Sequence, residues 1–266
     1  MLKSTNCNIK SQDGVLYITF PILEKFGVRH CFSTRIGGVS NGKYSAMNLS
    51  YTGGDSKESV DENFRRICKV IDADPKNLVF SKQTHTVNIV NISKKGEVVP
   101  PDTDGMITNV EGAVLCSSFA DCVPLIFYDP IKKVVAASHS GWRGTVGEIG
   151  RLTVERMQSD YGCNPQNIVA VIGPSICMDC YEVDDTVITE VNKMSIEIPP
   201  HALMVKCGGK YQLDLKELCR LTLIKAGIKD SNILKSDICT CCNSEYLHSH
   251  RATGGERGIL CSLIYL

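Results

Sequence analysis

From Val123 to Tyr128 the chain is continuously apolar, and from Val134 to Ser138 it is apolar or small. Between them Asp129-Pro130 breaks the pattern, and Lys132-Lys133 mark an exposed connection. Two uninterrupted runs joined by turn residues predict a hairpin whose faces are both covered. A hairpin brings its outer ends together. Cys122, just before the first run, is therefore expected beside His139, at the end of the second. A thiol next to an imidazole is either a metal-ligand pair or a nucleophile with its base.

The same patterning places the other elements. Val15 to Phe20 and Val28 to Ser33 read as strands. Asp55 or Ser56 can cap a helix running to about Ile71, with Val60, Phe64, Ile67 and Ile71 as its apolar stripe. Strands are expected at Leu78 to Phe80, Thr86 to Asn91, Met106 to Thr108 and Ala113 to Ser117. A helix is expected over Thr145 to Asp160, with Val146, Ile149, Leu152 and Met157 facing inward. Ile168 to Ile172 and Tyr211 to Leu213 read as extended, and Asp184-Asp185 open a short helix. Asp214 caps a helix through Ala226, which Gly227 stops. A last strand covers Ile259 to Leu266. Strands outnumber helices and do not alternate regularly with them, which predicts an α+β layered fold with mixed sheets in one domain, 1–266.

Composition narrows the function classes. The charges balance, 29 basic against 29 acidic, which argues against a nucleic-acid or membrane-surface binder. No apolar run approaches a membrane span, and MLKSTNCNIKSQDG lacks the apolar core of a signal peptide. A cytoplasmic protein is expected, so its 14 cysteines should be free thiols or metal ligands. Cys68, Cys116, Cys219 and Cys261 lie in apolar segments and read as small buried hydrophobes.

His85, Cys122 and His139 each flank an apolar strand. Three N/S donors with a fourth position open describe a catalytic zinc site, although copper accepts the same donors. A metal-free Cys122–His139 pair competes with this, as does a purely structural role for all three. Cys177-Met178-Asp179-Cys180 and Cys239-Thr240-Cys241-Cys242 could together hold a structural zinc, but their separation far exceeds that of a zinc ribbon. Neither pair opens a helix after a strand, which argues against a thioredoxin-like role. Arg35 lies in the glycine loop Thr34 to Ser40, and Arg143 and Arg251 lie beside glycines or in a polar loop. Guanidinium groups so placed suit an anionic substrate such as phosphate. No P-loop or dinucleotide fingerprint is present.

Taken together, several segments are similar to the YfiH/YlmD laccase-domain family. They are Thr34-Arg35-Ile36-Gly37-Gly38-Val39-Ser40 with Met47-Asn48-Leu49, Gln83-Thr84-His85, Asp104-Gly105 and Ala120-Asp121-Cys122-Val123-Pro124. Further along come His139-Ser140-Gly141-Trp142-Arg143-Gly144, Ile172-Gly173-Pro174-Ser175-Ile176 with Tyr181-Glu182-Val183, and Cys239-Thr240. They occur in the family's order along nearly the whole chain.

The resemblance implies a single four-layer α/β/β/α sandwich related to the cysteine hydrolase fold of cytotoxic necrotizing factor toxins. It implies metal ligands at His85, Cys122 and His139, with zinc expected and copper as the alternative. Catalytic roles would fall on Cys122, His139 and Arg143. Substrate or phosphate contacts would fall on Arg35, Asn48, Gln83, Arg143 and Arg251. The implied activity is zinc-dependent purine nucleoside phosphorolysis of adenosine, inosine, guanosine and methylthioadenosine, with adenosine deamination. The alternatives are a copper-dependent polyphenol oxidase, a metal-free Cys–His hydrolase or deamidase, and a non-catalytic metal-binding protein. Partners would be purine nucleosides and phosphate, without nucleic acid or membrane, on a monomer or weak homo-oligomer. Two departures stand out. Ser140 replaces alanine, and His248-Ser249-His250-Arg251 replaces an aromatic-Ser-Tyr-Arg run, adding histidines that could alter metal choice or substrate fit.

Overall fold

In the computed structural model, which describes residues 1–266, the predicted hairpin lies at the middle of one of two large sheets. The chain begins with β1 (Asn8–Gln12), β2 (Val15–Thr19), a short α1 (Pro21–Glu24), β3 (Arg29–Ser33) and α2 (Lys57–Lys69). Four strands follow: β4 (Leu78–Phe80), β5 (Ile89–Asn91), β6 (Gly105–Thr108) and β7 (Val114–Phe119). The hairpin is β8 (Val123–Asp129) and β9 (Val134–Ser140), and it leads into α3 (Trp142–Val146) and α4 (Ile149–Tyr161). Next come β10 (Val169–Ile172), β11 (Glu182–Asp184), α5 (Asp185–Val191), β12 (Leu203–Lys206) and β13 (Lys210–Leu213). The chain closes with α6 (Leu215–Lys225), β14 (Ile233–Lys235), α7 (His250–Thr253) and β15 (Leu260–Tyr265).

One six-stranded sheet has the order β1-β2-β3-β15-β7-β4, and the other β14-β10-β8-β9-β6-β5. A small third sheet, β11-β13-β12, is antiparallel. Both large sheets are mixed, because β4 runs parallel to β7, β5 to β6 and β10 to β14. This is the mixed α/β character that the irregular alternation of elements predicts.

Side-chain alternation along the hairpin separates two cores. Leu125, Phe127 and Ala136 meet Val154 and Met157 of α4 and Leu218 and Leu223 of α6. Ile126, Tyr128, Val135 and Ala137 point the other way, to Phe32, Leu115 and Leu260 of the first sheet. Both faces of β8 and β9 are thus covered, which is why residues 123–127 and 134–137 are wholly apolar. A third core lies between the first sheet and α2, where Val60, Phe64 and Ile67 meet Val114 and Leu263. Each large side chain buried in these cores contributes about 1.5–3 kcal/mol. Cys68, Cys116, Cys219 and Cys261 are buried free thiols, as expected.

The expected helix over Thr145 to Asp160 is two helices. A Cβ on Gly147 would lie 2.6 Å from Val87 Cγ1, and Glu148 takes a left-handed φ of 56°. The Glu148 carboxylate accepts hydrogen bonds from Arg151 and from the backbone of Ser195, which holds the break in place. The expected strand over Thr86 to Asn91 is regular only from Ile89, because Thr86 and Asn88 are drawn into a loop by Asp102 and Asp104.

Candidate active site and metal centre

In the β8–β9 register Pro124 faces His139 and Val123 faces Ser140, so the open end of the hairpin carries Cys122 beside His139. Val135 and Ala137 point into the inter-sheet core, and two-residue periodicity sends His139 to the same face. There its ring is buried against Phe119, with centroids 5.6 Å apart. His85 arrives from the loop between β4 and β5, its ring centroid 4.8 Å from that of His139. One donor atom from each of His85, Cys122 and His139 lies within 4.8 Å of the others.

Asp104, fully buried just before β6, organises this cluster. Its Oδ1 accepts from His139 Nδ1 at 2.8 Å and from the His85 backbone N–H at 3.2 Å. Its Oδ2 accepts from the N–H groups of Thr84 at 3.2 Å and Thr86 at 2.9 Å, and from the Thr86 hydroxyl at 2.9 Å. His85 itself sits at a left-handed φ of 65°, a conformation costly for a side-chain-bearing residue. The converging N–H groups form an anion nest that offsets that cost. Burial alone would raise the Asp104 carboxyl, but the hydrogen bonds from His139, Thr86 and Thr84 hold it down at about 2. Burial likewise disfavours a charged His139. Its hydrogen bonds to Asp104 and Cys122 outweigh that and raise it to about 9 in the metal-free chain.

With Nδ1 bound to a carboxylate, His139 directs Nε2 toward the other two donors, the arrangement that orients a metal-ligating histidine. Gly141 keeps the space between donors open. A Cβ there would lie 2.4 Å from His85 Nδ1 and 3.2 Å from Cys122 Sγ. Two imidazoles and a thiol around such a gap fit a metal ion with a vacant position, and the donor types suit zinc or copper.

The cluster forms the floor of a cleft of about 850 Å³. Phe119, Trp142 and Tyr181 supply aromatic walls, and Arg251 and Arg257 supply positive charge. Asp121, immediately before Cys122, ties the walls together. Its Oδ1 accepts from the Thr240 hydroxyl at 2.6 Å, its Oδ2 from the Arg251 N–H at 2.7 Å, and its carbonyl from the Ile176 N–H at 3.0 Å.

The residues expected at the substrate are divided by the structure. Gln83 and Arg251 line the cleft with the three metal-ligand candidates. Gln83 has its amide occupied, donating to the Ser118 carbonyl and accepting from the Ser118 N–H. Arg251 donates to the carbonyls of Cys180 and Glu182. Arg143 lies outside the lining, its guanidinium 4.3 Å from the Trp142 ring centroid. Arg35 and Asn48 do not reach the cleft. Arg35 is bound to the carbonyls of Ser45 and Ser244, and Asn48 bridges Asp55 and the Ile259 N–H. The two additional histidines stay apart from the metal cluster. His248 is buried with Nδ1 accepting from the Gly258 N–H, and His250 lies at the rim.

The roles of three contributors escaped the sequence. Asp104 stands in the family-like Asp104-Gly105 segment, but the sequence assigns it no role. Tyr181 carried no chemical signal of its own, and burial raises its hydroxyl to about 12. Arg257 lines the cleft, and its Nε is buried with no partner in the chain. It adjoins Gly258, as Arg143 adjoins Gly144.

Residues 29–266 match the family described as multi-copper polyphenol oxidoreductase laccase. The purine nucleoside phosphorylase YlmD of Bacillus subtilis (strain 168) is 36% identical over 241 residues, covering 88% of this chain and 86% of that protein. Adenosine deaminase RL5, from an unknown prokaryotic organism, is 33% identical over 244 residues, covering 88% of this chain and 92% of that protein. The crystal structure of the Bacillus licheniformis hypothetical protein YfiH superposes with a TM-score of 0.90 at 32% identity, over 97% of this chain and 98% of that one.

Proposed function

This chain belongs to the multi-copper polyphenol oxidoreductase laccase family that includes YlmD and YfiH, and on that premise we propose that it is a zinc-dependent purine nucleoside phosphorylase that also deaminates adenosine. The observation that carries this reading is the cluster of His85, Cys122 and His139 around a gap kept open by Gly141, at the floor of an aromatic, arginine-bearing cleft. The proposed substrates are adenosine, inosine, guanosine and methylthioadenosine. Membership also supports a helix/sheet/sheet/helix layering over one domain, 1–266, consistent with the three cores. No helix is long and apolar enough to cross a membrane, and a cytoplasmic location is proposed.

Phosphorolysis breaks the bond from the ribose C1′ to the purine and forms one from C1′ to a phosphate oxygen. The base departs with the proton that the attacking hydrogen phosphate gives up. Bound by His85, Cys122 and His139, zinc would supply Lewis-acid chemistry and lower the pKa of water. The chain's own part is positioning. Asp104 fixes the His139 ring and the loop carrying His85. Trp142 and Tyr181 offer aromatic faces to a purine. Arg257, with an unpartnered Nε, and Arg251 present fixed positive charge to phosphate.

A second reading has its own observation. Asp104, His139 and Cys122 stand in line, with the His139 ring between carboxylate and thiol. That is also the arrangement of a metal-free cysteine nucleophile and its oriented base. Cys122→Ser separates the two. Under the proposed function it loses metal and nucleoside turnover together, since serine is a poor zinc ligand at neutral pH. Retained metal with abolished turnover favours the nucleophile. Copper in the site together with oxygen uptake on phenols favours the oxidase that the family's description names.

A further inference from the structure

The two C-x-x-C pairs stand 62 residues apart in the chain, measured from Cys180 to Cys242, yet they meet. Ser175 and Cys239 pair in an isolated parallel bridge that continues the β10–β14 pairing beyond the ends of both strands. The Thr240 N–H donates to the Ser175 carbonyl at 3.1 Å. Just past these points each segment turns, and the four sulphurs of Cys177, Cys180, Cys239 and Cys242 lie within 4.8 Å of one another. The Cys180–Cys242 separation is 3.4 Å and the Cys177–Cys242 separation 3.9 Å. Four sulphurs placed about 2.3 Å from a central zinc are about 3.8 Å from each other.

The backbone is also arranged for charge on sulphur. The N–H groups of Cys177 and Cys242 both point at Cys239 Sγ, at 3.2 and 3.4 Å. Two amide donors on one sulphur favour the thiolate, the ligating form. An all-thiolate set with no carboxylate or imidazole selects a soft tetrahedral ion. Cys241, between the two ligands of its turn, stays outside the cluster.

We propose that Cys177, Cys180, Cys239 and Cys242 bind a structural zinc ion as a closed tetrathiolate that staples together the two segments forming one wall of the cleft. Tyr181 follows Cys180 directly and lines the cleft. The Cys180 carbonyl accepts from Arg251 Nη1 at 2.8 Å, and Thr240, next to Cys239, donates its hydroxyl to Asp121. The ion therefore fixes Tyr181, Arg251 and Asp121 without touching substrate. This site is separate from the His85–Cys122–His139 cluster, and the inference does not depend on the proposed activity.

The test is metal content and ligand signature in the full-length protein. The Cys180→Ser/Cys242→Ser variant should carry one zinc fewer per chain than wild type. Cobalt added to metal-free wild type should give the intense sulphur-to-cobalt charge-transfer bands of a tetrathiolate, and those bands should persist in His85→Ala. Should the double cysteine variant fail to fold, alkylation of the wild type decides. All four thiols should be protected until a chelator removes the ion, and then react together. The proposal is overturned by unchanged zinc in the variant, by absence of the tetrathiolate bands, by ready alkylation before chelation, or by iron in place of zinc.

Discussion

Asp104 and His139 are joined twice. The Asp104 carboxylate accepts from His139 Nδ1, and its backbone carbonyl accepts from the His139 N–H, each at 2.8 Å. The same carboxylate gathers the N–H groups of Thr84, His85 and Thr86. One buried side chain thus fixes two metal-ligand candidates that lie far apart in the chain. Asp104→Asn should weaken zinc binding about 10–100-fold, because the amide cannot accept all of these hydrogen bonds and the His139 ring loses its orientation. Titration against a metal buffer measures this. Wild-type affinity in the variant would remove Asp104 from the account.

Gly141 offers a cleaner separation of fold from site. Its φ of −69° is open to any residue, so the backbone does not require glycine. Space does, because an added Cβ would lie 2.4 Å from His85 Nδ1. Gly141→Ala should fold with a metal-free Tm close to wild type and lose most of its zinc. The metal-free Tm by calorimetry and zinc by elemental analysis check the two halves independently.

Metal affinity should depend on pH with a definite sign. In the metal-free chain His139 is raised from 6.5 to about 9, and zinc must displace its Nε2 proton. Below about pH 9, each unit of acidification therefore costs roughly tenfold in affinity from this group. Stability of the metal-free protein runs the other way. A raised histidine contributes stability that is full below its unfolded value and fades as pH climbs through about 9. Asp104, depressed to about 2, contributes stability above its ordinary value of 3.8 and loses it as pH falls through about 2. Thermal scans with and without chelator should therefore diverge as pH rises from 6.5 to 9. A gap that narrows instead would mean that His139 does not ligate the metal.

Arg257→Ala should raise the KM for phosphate about tenfold or more, the loss expected when a charge-assisted hydrogen bond is removed. Deamination of adenosine, which consumes water, should be affected less. Steady-state kinetics of both reactions on the same variant provide the check. Equal losses in the two would place Arg257 against the nucleoside and not the phosphate.

The parts of this molecule legible in the sequence are those fixed by burial on a regular period. β8 and β9 are covered on both faces, so their apolar runs announced the hairpin and with it the proximity of Cys122 and His139. β1 was missed because Asn8–Gln12 is a polar edge strand, although the Asp13-Gly14 turn, with φ of 50° and 80°, is a recognised hairpin signal. The break between α3 and α4 was hidden because it depends on Val87, a contact far away in the chain. Asp104 stood in a family-like segment with no visible role, since its partners come from two other segments. The cysteine pairs were undervalued because chain separation says nothing about a parallel β10–β14 pairing that closes it. Arg35 and Arg257 both lie in glycine-bearing loops, and only the fold shows that one is spent on backbone carbonyls while the other lines the cleft.

The central claim is phosphorolysis, and product analysis tests it most directly. Zinc-loaded protein is incubated with inosine or adenosine, with and without phosphate, and free base, ribose, ribose 1-phosphate and inosine are quantified. The account predicts base and ribose 1-phosphate in equal amounts and only when phosphate is present, with inosine formed from adenosine even without it. Base with free ribose, independent of phosphate, or no conversion of any purine nucleoside by protein with metal confirmed at His85, Cys122 and His139, would contradict it.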